Sequence, residues 1–254
     1  MYRKRRIIPC LDIKDGRLVK GINFKNLKTL GDPVEAAKCY RDAGADEVIF
    51  LDIAATSSGR GILLELIGDV AKVLDIPFAI GGGIRNIKDI QDVLDMGANK
   101  VSISSAALST PGLITEASDK FGREKIIVAI DAKSKVRQDG WHVYTAGGSK
   151  NTNIDVLTWA KKVESLGAGE LLLTSMDRDG TRAGYDIELT RAVTDVVDIP
   201  VIASGGAGKL RDFYDVIVDA GADAVLAASL FHYREVEIRL LKDYLKSKNI
   251  SVYL

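Results

Sequence analysis

Two aspartates stand at matching places in two similar stretches of the chain. IIPCLDIK beginning at Ile7 and IIVAIDAK beginning at Ile126 each close an apolar run with an aspartate, Asp12 and Asp131, followed two residues later by Lys. Paired carboxyls in a partly desolvated mouth have their pKa values pushed apart, which leaves one as acid and the other as base. Taken singly, each can equally cap a loop or pair with Lys14 or Lys133; the matched placement is what favours acid-base chemistry. Two glycine-rich segments, GGGIR at Gly81–Arg85 and SGGAGK at Ser204–Lys209, have the character of phosphate grips. Glycines such as Gly83, Gly205 and Gly206 let backbone N–H groups approach an anion closely. Small hydroxyl residues follow each grip, Ser104 and Ser105 after the first and Ser229, preceded by Ala228, after the second. A single GGG is equally a tight turn, but the recurrence of grip plus hydroxyl points to two anion sites and so to a substrate with two phosphates.

The elements that must position these groups follow from periodicity. Short β-branched runs alternate with helix-period segments, the pattern of parallel strands with crossover helices. Strands are expected near Ile7–Leu11, Glu47–Leu51, Phe78–Ile80, Lys100–Ile103, Ile126–Ile130, Glu170–Thr174, Val201–Ala203 and Ala224–Ala227. The second half restates the first: AGADEVIFLDIAATSSGRG matches LGAGELLLTSMDRDGTRAG, IPFAIGGGIRNIKD matches IPVIASGGAGKLRD, and GANKVSISSAAL matches GADAVLAASLF. One half alone is a sheet with two open edges, whereas two halves can close and remove both. An α/β fold, a single (β/α)8 barrel of two homologous half-barrels at about 1–123 and 124–254, is therefore expected over a doubly wound open sheet.

In such barrels the chemistry sits at the C-terminal ends of the strands. Asp12 and Asp131 then face each other across the mouth, with the two grips on opposite sides, about 15–20 Å apart. The loop Asp15–Lys28 is long for a βα connection and fits a lid, with Lys20 its expected contact unless that lysine is only a solvated charge. DRDGTRAG at Asp177–Gly184 brings Asp179, Gly180 and Thr181 near the second phosphate; Asp179 can bind a substrate hydroxyl or amine, or merely shape the turn. At the opposite end of the strands, Arg6, Glu47, Lys100 and Glu170 can form a salt-bridge ring closing the bottom of the barrel.

Bulk properties set the class. Lys plus Arg and Asp plus Glu balance at 35 each, so no overall field draws the molecule to nucleic acid or an anionic membrane. No apolar run approaches the roughly 20 residues of a membrane helix. Cys10 and Cys39 lack metal-ligand spacing, and the first residues run directly into a strand rather than a signal peptide, so a cytoplasmic enzyme with no metal or cofactor is expected.

Together CLDIKDGRLVKG, FLDIAATSSGRG, IGGGIR, IDAK, GGSKNT, DRDGTRAGYD, ASGGAGK and AASLFH resemble the cyclase subunits of imidazole glycerol phosphate synthases of histidine biosynthesis, over essentially the full chain. GGGIR is shared with the sister isomerase of that pathway; IDAK with GGSKNT and DRDGT points to the cyclase. The resemblance implies that ammonia from a glutaminase subunit, docked at the N-terminal face, adds to a bisphosphate ribulosyl formimino aminoimidazole carboxamide ribonucleotide. Cyclisation and cleavage yield imidazole glycerol phosphate and aminoimidazole carboxamide ribotide. It further implies that Asp12 and Asp131 are the general acid-base pair and that Lys20 belongs to a mobile lid. One phosphate would rest on Gly83, Ser104 and Ser105, the other on Gly180, Gly206, Ala228 and Ser229, and Arg6, Glu47, Lys100 and Glu170 would gate ammonia entry. Two positions depart from the family pattern: Asn99 replaces an Asp that often pairs with the partner, and Ser104 replaces a common Asn. Competing readings are the sister isomerase, an ammonia-dependent synthase acting on a sugar nucleotide, and a non-catalytic scaffold.

Overall fold

Aliphatic, β-branched runs become strands at each of the eight places where the pattern predicts them. The computed structural model describes residues 4–22, 25–54, 62–136 and 139–253, with only the backbone described for 20–22 and 25–28. Eight strands, β1 (Arg6–Lys14), β4 (Val48–Asp52), β5 (Phe78–Gly81), β6 (Lys100–Ile103), β7 (Ile126–Ser134), β10 (Glu170–Ser175), β11 (Val201–Ser204) and β12 (Ala224–Ala227), pair in parallel in that order. Pairing of β12 with β1 closes the ring, Ile7 opposite Val225. The fold is thus the expected (β/α)8 barrel. By strand order, β1 lies across the barrel from β7, and the β5–β6 pair across from β11–β12.

The remaining four strands form two antiparallel hairpins that the sequence reading did not place. β2 (Arg17–Ile22) and β3 (Lys25–Gly31) continue from β1; β8 (Trp141–Thr145) and β9 (Lys150–Asp155) continue from β7. The expected loop Asp15–Lys28 is therefore corrected to a hairpin. Its cause is local: Lys14 pairs with Arg17 around Asp15-Gly16, whose φ angles of 52° and 74° are those of a two-residue type I′ turn, which Asp-Gly favours. For the same reason β1 and β7 run past their expected ends, so Asp12 and Asp131 lie inside their strands rather than at the tips.

Helices α1 (Pro33–Asp42), α2 (Leu64–Ala71), α3 (Ile87–Asp95), α4 (Ser105–Ser109), α5 (Gly112–Phe121), α6 (Val156–Ser165), α7 (Ile187–Thr194), α8 (Leu210–Val218), α9 (Ser229–His232) and α10 (Ile238–Ser247) surround the strands. Several start at a side-chain cap, with Asp32, Asn86, Asp155 and Asp186 accepting from backbone N–H groups of the first turn. Their apolar faces and the outward strand residues make one large core, including Ile7, Leu11, Val48, Ile126, Val128 and Phe213.

The inward strand residues make a second, smaller core of Ile8, Cys10, Ile49, Ala79, Ile127, Leu172, Ile202, Ala224 and Leu226. Side chains alternate faces along a strand, so on β1 the inward series is Arg6, Ile8, Cys10, Asp12. One strand thereby carries a charge at the floor, apolar filling in the middle and a carboxylate at the rim. At about 3.3 Å per residue, floor and rim are roughly 20 Å apart.

The floor is the predicted ring of ion pairs. Arg6 contacts Glu47 at 2.5 Å and also pairs with Glu170, while Lys100 lies 3.0 Å from each of the same two carboxylates. Burial alone would lower the Arg6 pKa, but Glu170 and Glu47 outweigh it and the pKa is raised, so the guanidinium stays charged. Lys242 on α10 pairs with Asp46 at 2.5 Å, and the Asp46 carboxylate also accepts from Ile7 N at 2.7 Å, next to the ring.

Candidate active site

Asp12 and Asp131 line one cavity at the C-terminal mouth, together with Asp179, Gly180, Gly205, Gly206, Ala228 and Ser229. Asp12 is 6% exposed and accepts from the Cys10 thiol at 3.8 Å. Asp131 has its pKa pushed up to about 6, first by burial and then by the neighbouring Asp179 carboxylate. It therefore exchanges its proton near neutrality, where acid-base catalysis is most effective. Arg182, Thr174 and Ser204 also line this cavity; in the sequence, Ser204 and Arg182 stood out only within their segments and Thr174 only as the end of a strand. Thr174 and Ser204 could have been found by extending the inward alternation of β10 and β11 to the rim.

Gly83, Ser104 and Ser105 line a second cavity, on the β5–β6 side. Each predicted grip is thus a concave surface; the β11–β12 cavity also holds both carboxylates, and by strand order the β5–β6 cavity lies across the barrel from it. The grips share a backbone device. Gly82 (φ +91°) and Gly205 (φ +93°) both sit so that a Cβ would crowd the terminal carbonyl of the preceding barrel strand, Asp52 O in one case and Ser175 O in the other. Gly206 (φ +103°) turns the face that would carry a Cβ against the Gly184 carbonyl, while its own carbonyl accepts from Gly184 N at 2.8 Å. Gly206→Ala is expected to cost about 1–3 kcal/mol of stability and to weaken anion binding on the β11–β12 side only. Thermal melts and a phosphate titration check this; unchanged phosphate affinity there would remove Gly206 from the anion site.

Not every predicted residue reaches a cavity. Thr181 is exposed and donates to Arg178 O at 2.7 Å, so its hydroxyl serves its own turn and is absent from the cavity lining. Lys20 lies on β2 opposite Lys28, and its side chain is outside the described residues. Asn99 accepts from Phe78 N at 2.9 Å. Arg6, Glu47, Lys100 and Glu170 line a separate concavity of ≈ 1160 Å³ at the N-terminal face. The β8–β9 hairpin supplies Thr145, Lys150 and Thr152 to the Ser104–Ser105 cavity. Its signal was present as the alternating WHVYT run and the following Gly147-Gly148. Among the described residues, no group of three His, Cys, Asp or Glu side chains could hold a metal ion, and no helix is long and apolar enough to cross a membrane.

Comparison with known proteins matches residues 6–237 to the family described as "Histidine biosynthesis protein". Imidazole glycerol phosphate synthase subunit HisF of Clostridium botulinum strain Langeland is 53% identical over 250 residues, 98% of this chain and 99% of the relative. The chain belongs to the HisF family. Subunits HisF of the Okra strain, at 53% identity, and of strain 657, at 52%, align over the same shares of both chains. The segments carrying the HisF family resemblance fall where the geometry is richest: IDAK on β7, DRDGT and ASGGAGK around the Asp131 cavity, IGGGIR and GGSKNT around the second.

Proposed function

We propose that the protein is the cyclase subunit of an imidazole glycerol phosphate synthase, using ammonia from a glutaminase partner. Two glycine-lined cavities, across the barrel from each other by strand order and with Asp12 and Asp131 lining one of them, are the observation that carries the reading. They suit a long substrate with a phosphate at each end, the bisphosphate ribulosyl formimino aminoimidazole carboxamide ribonucleotide. In this reading the chain is two homologous half-barrels, each contributing one anion site and one aspartate. Gly83, Ser104 and Ser105 hold one phosphate; Gly180, Gly205, Gly206, Ala228 and Ser229 hold the other, with Asp179 binding a polar group near that end. Fixing both ends places the reacting centre over the aspartates and removes most of its freedom before any bond changes.

Asp12 and Asp131 then act as the general acid and base of cyclisation and cleavage, which release imidazole glycerol phosphate and aminoimidazole carboxamide ribotide. The raised pKa of Asp131 supports this role, because a carboxyl poised near neutrality can both give and take a proton. Lys20, on the hairpin beside Asp12, belongs to the lid. The glutaminase docks at the N-terminal face, over the wide concavity beneath the ring of Arg6, Glu47, Lys100 and Glu170. Ammonia passes that gate and travels through the apolar barrel interior, where Ala79, Ala129 and Ala224 leave more room than larger side chains would.

The purified chain with the ribulosyl bisphosphate and an ammonium salt is expected to form imidazole glycerol phosphate, followed by chromatography of products. Turnover of the preceding, unisomerised bisphosphate instead would assign the protein to the sister isomerase.

A further inference from the structure

The Ser104–Ser105 cavity draws its walls from both halves of the chain. Gly82, Gly83, Ser104 and Ser105 follow β5 and β6, whereas Thr145 and Lys150 come from the hairpin that extends β7, the strand of Asp131. The two are joined by a direct contact: Ser105 Oγ and Thr145 Oγ1 lie 2.6 Å apart, in a partly buried setting. Thr145 directly follows Tyr144, and Tyr144 is the register partner of Asp131 in the β7–β8 ladder. Opposite residues in such a ladder have Cα atoms only about 4.5–5.5 Å apart. A short path therefore runs from the backbone of Asp131 across the β7–β8 ladder to Tyr144, and from Thr145 to the hydroxyl of Ser105.

A serine hydroxyl has one proton to give and two lone pairs. When Thr145 donates to Ser105 Oγ, the Ser105 proton is left to point into the cavity, and the side chain is held in one of its three staggered rotamers. We propose that Thr145 is a positioning residue: its hydroxyl orients Ser105 toward a bound phosphate and holds that phosphate at a set distance from Asp131. The kinetic consequence rests on the cyclase reading given above; the effect on phosphate binding does not. Among the described residues the β11–β12 cavity has no hairpin strand in its lining, and its neighbouring wall is the turn that carries Asp179 and Arg182. The two ends are therefore built differently: Asp12 and Asp131 line the β11–β12 cavity directly, whereas the Ser105 end meets the strand extension of Asp131 through a hydroxyl pair.

Inorganic phosphate is titrated into the full chain while amide shifts of Gly83 and Ser105 report one end and those of Gly206 and Ser229 report the other. Thr145→Val is expected to weaken phosphate at the Ser105 end roughly three- to tenfold, with the Gly206 end unchanged. The kcat with ammonium and the bisphosphate should fall about tenfold or more, since small misplacements are costly at a reacting centre. Thr145→Ser should restore both. In a double-mutant cycle, Ser105→Ala with Thr145→Val should be no worse than Ser105→Ala alone. Thr145→Ala replaces the valine variant should the latter not fold. Unchanged phosphate affinity at the Ser105 end, additive losses in the cycle, or no rescue by serine would each overturn the proposal. A wild-type chain that binds phosphate but turns over no bisphosphate would sink the cyclase reading, leaving the titration and the cycle to decide on Thr145.

Discussion

Asp131→Asn is expected to lower ammonium-dependent turnover by roughly 10²–10⁴-fold, the range for loss of one general acid or base, while making the folded protein more stable above pH 6. Both halves of the expectation come from one environment. Burial, and then the Asp179 carboxylate, raise the Asp131 pKa from 3.8 to about 6. The folded chain therefore binds this proton more tightly than the unfolded chain does. Its contribution to stability is fully present below about pH 4 and is lost as pH rises through about 6. At neutral pH the wild type keeps a partly buried charge that asparagine does not have, so the variant should gain on the order of 2 kcal/mol there. Urea denaturation of both proteins between pH 4 and 8 measures the difference. A variant that is inactive yet loses stability at pH 7 would mean that the carboxylate is held by favourable contacts and is not the poised group described.

Removal of Glu170 should have the largest effect on folding. Glu170→Ala takes a partner from both Arg6 and Lys100 and leaves Glu47 alone to balance two cations at the barrel floor. Breaking a buried pair by deleting one member typically costs about 3–5 kcal/mol; here the side chains left behind are 18% and 20% exposed, so water reaches them in part and the lower end of that range is expected. The midpoint of denaturant unfolding should fall accordingly, with the slope unchanged. A loss below about 1 kcal/mol would show that the floor is wet, and that its ion pairs act as exposed ones do.

The barrel itself was legible because its strands obey simple patterns. Isoleucine- and valine-rich runs such as Ile126–Ile130 have no reading as amphipathic helix, and the internal matches fix how many there are. The rim was legible for a different reason: Asp12, Asp131 and the glycines after β5 and β11 interrupt apolar runs, and such interruptions stand out in one dimension. The hairpins were missed although Asp15-Gly16 is a strong turn signal, because a βα connection was expected there and its length was attributed to a lid. Thr181 illustrates another limit. Its place in DRDGTRAG suggested a ligand contact, yet a hydroxyl three residues beyond a turn carbonyl can add to the bond from its own N–H, as it does with Arg178. Contacts between distant parts of the chain, such as Ser105 with Thr145, depend on how a hairpin folds back over a neighbouring loop, which no spacing encodes.

The inward series on β1 has a consequence for how this strand tolerates change. Arg6, Ile8, Cys10 and Asp12 share a face because each is separated from the next by one residue, so parity along the strand decides which solvent each side chain meets. Conservative replacements at any of the four leave that parity intact. Inserting or deleting one residue between Arg6 and Asp12 would reverse it for one end relative to the other, turning either the guanidinium or the carboxylate outward among the helices. Floor and rim of the barrel are therefore locked to one another through the count of residues between them, and this short stretch should accept substitutions far more readily than changes in length.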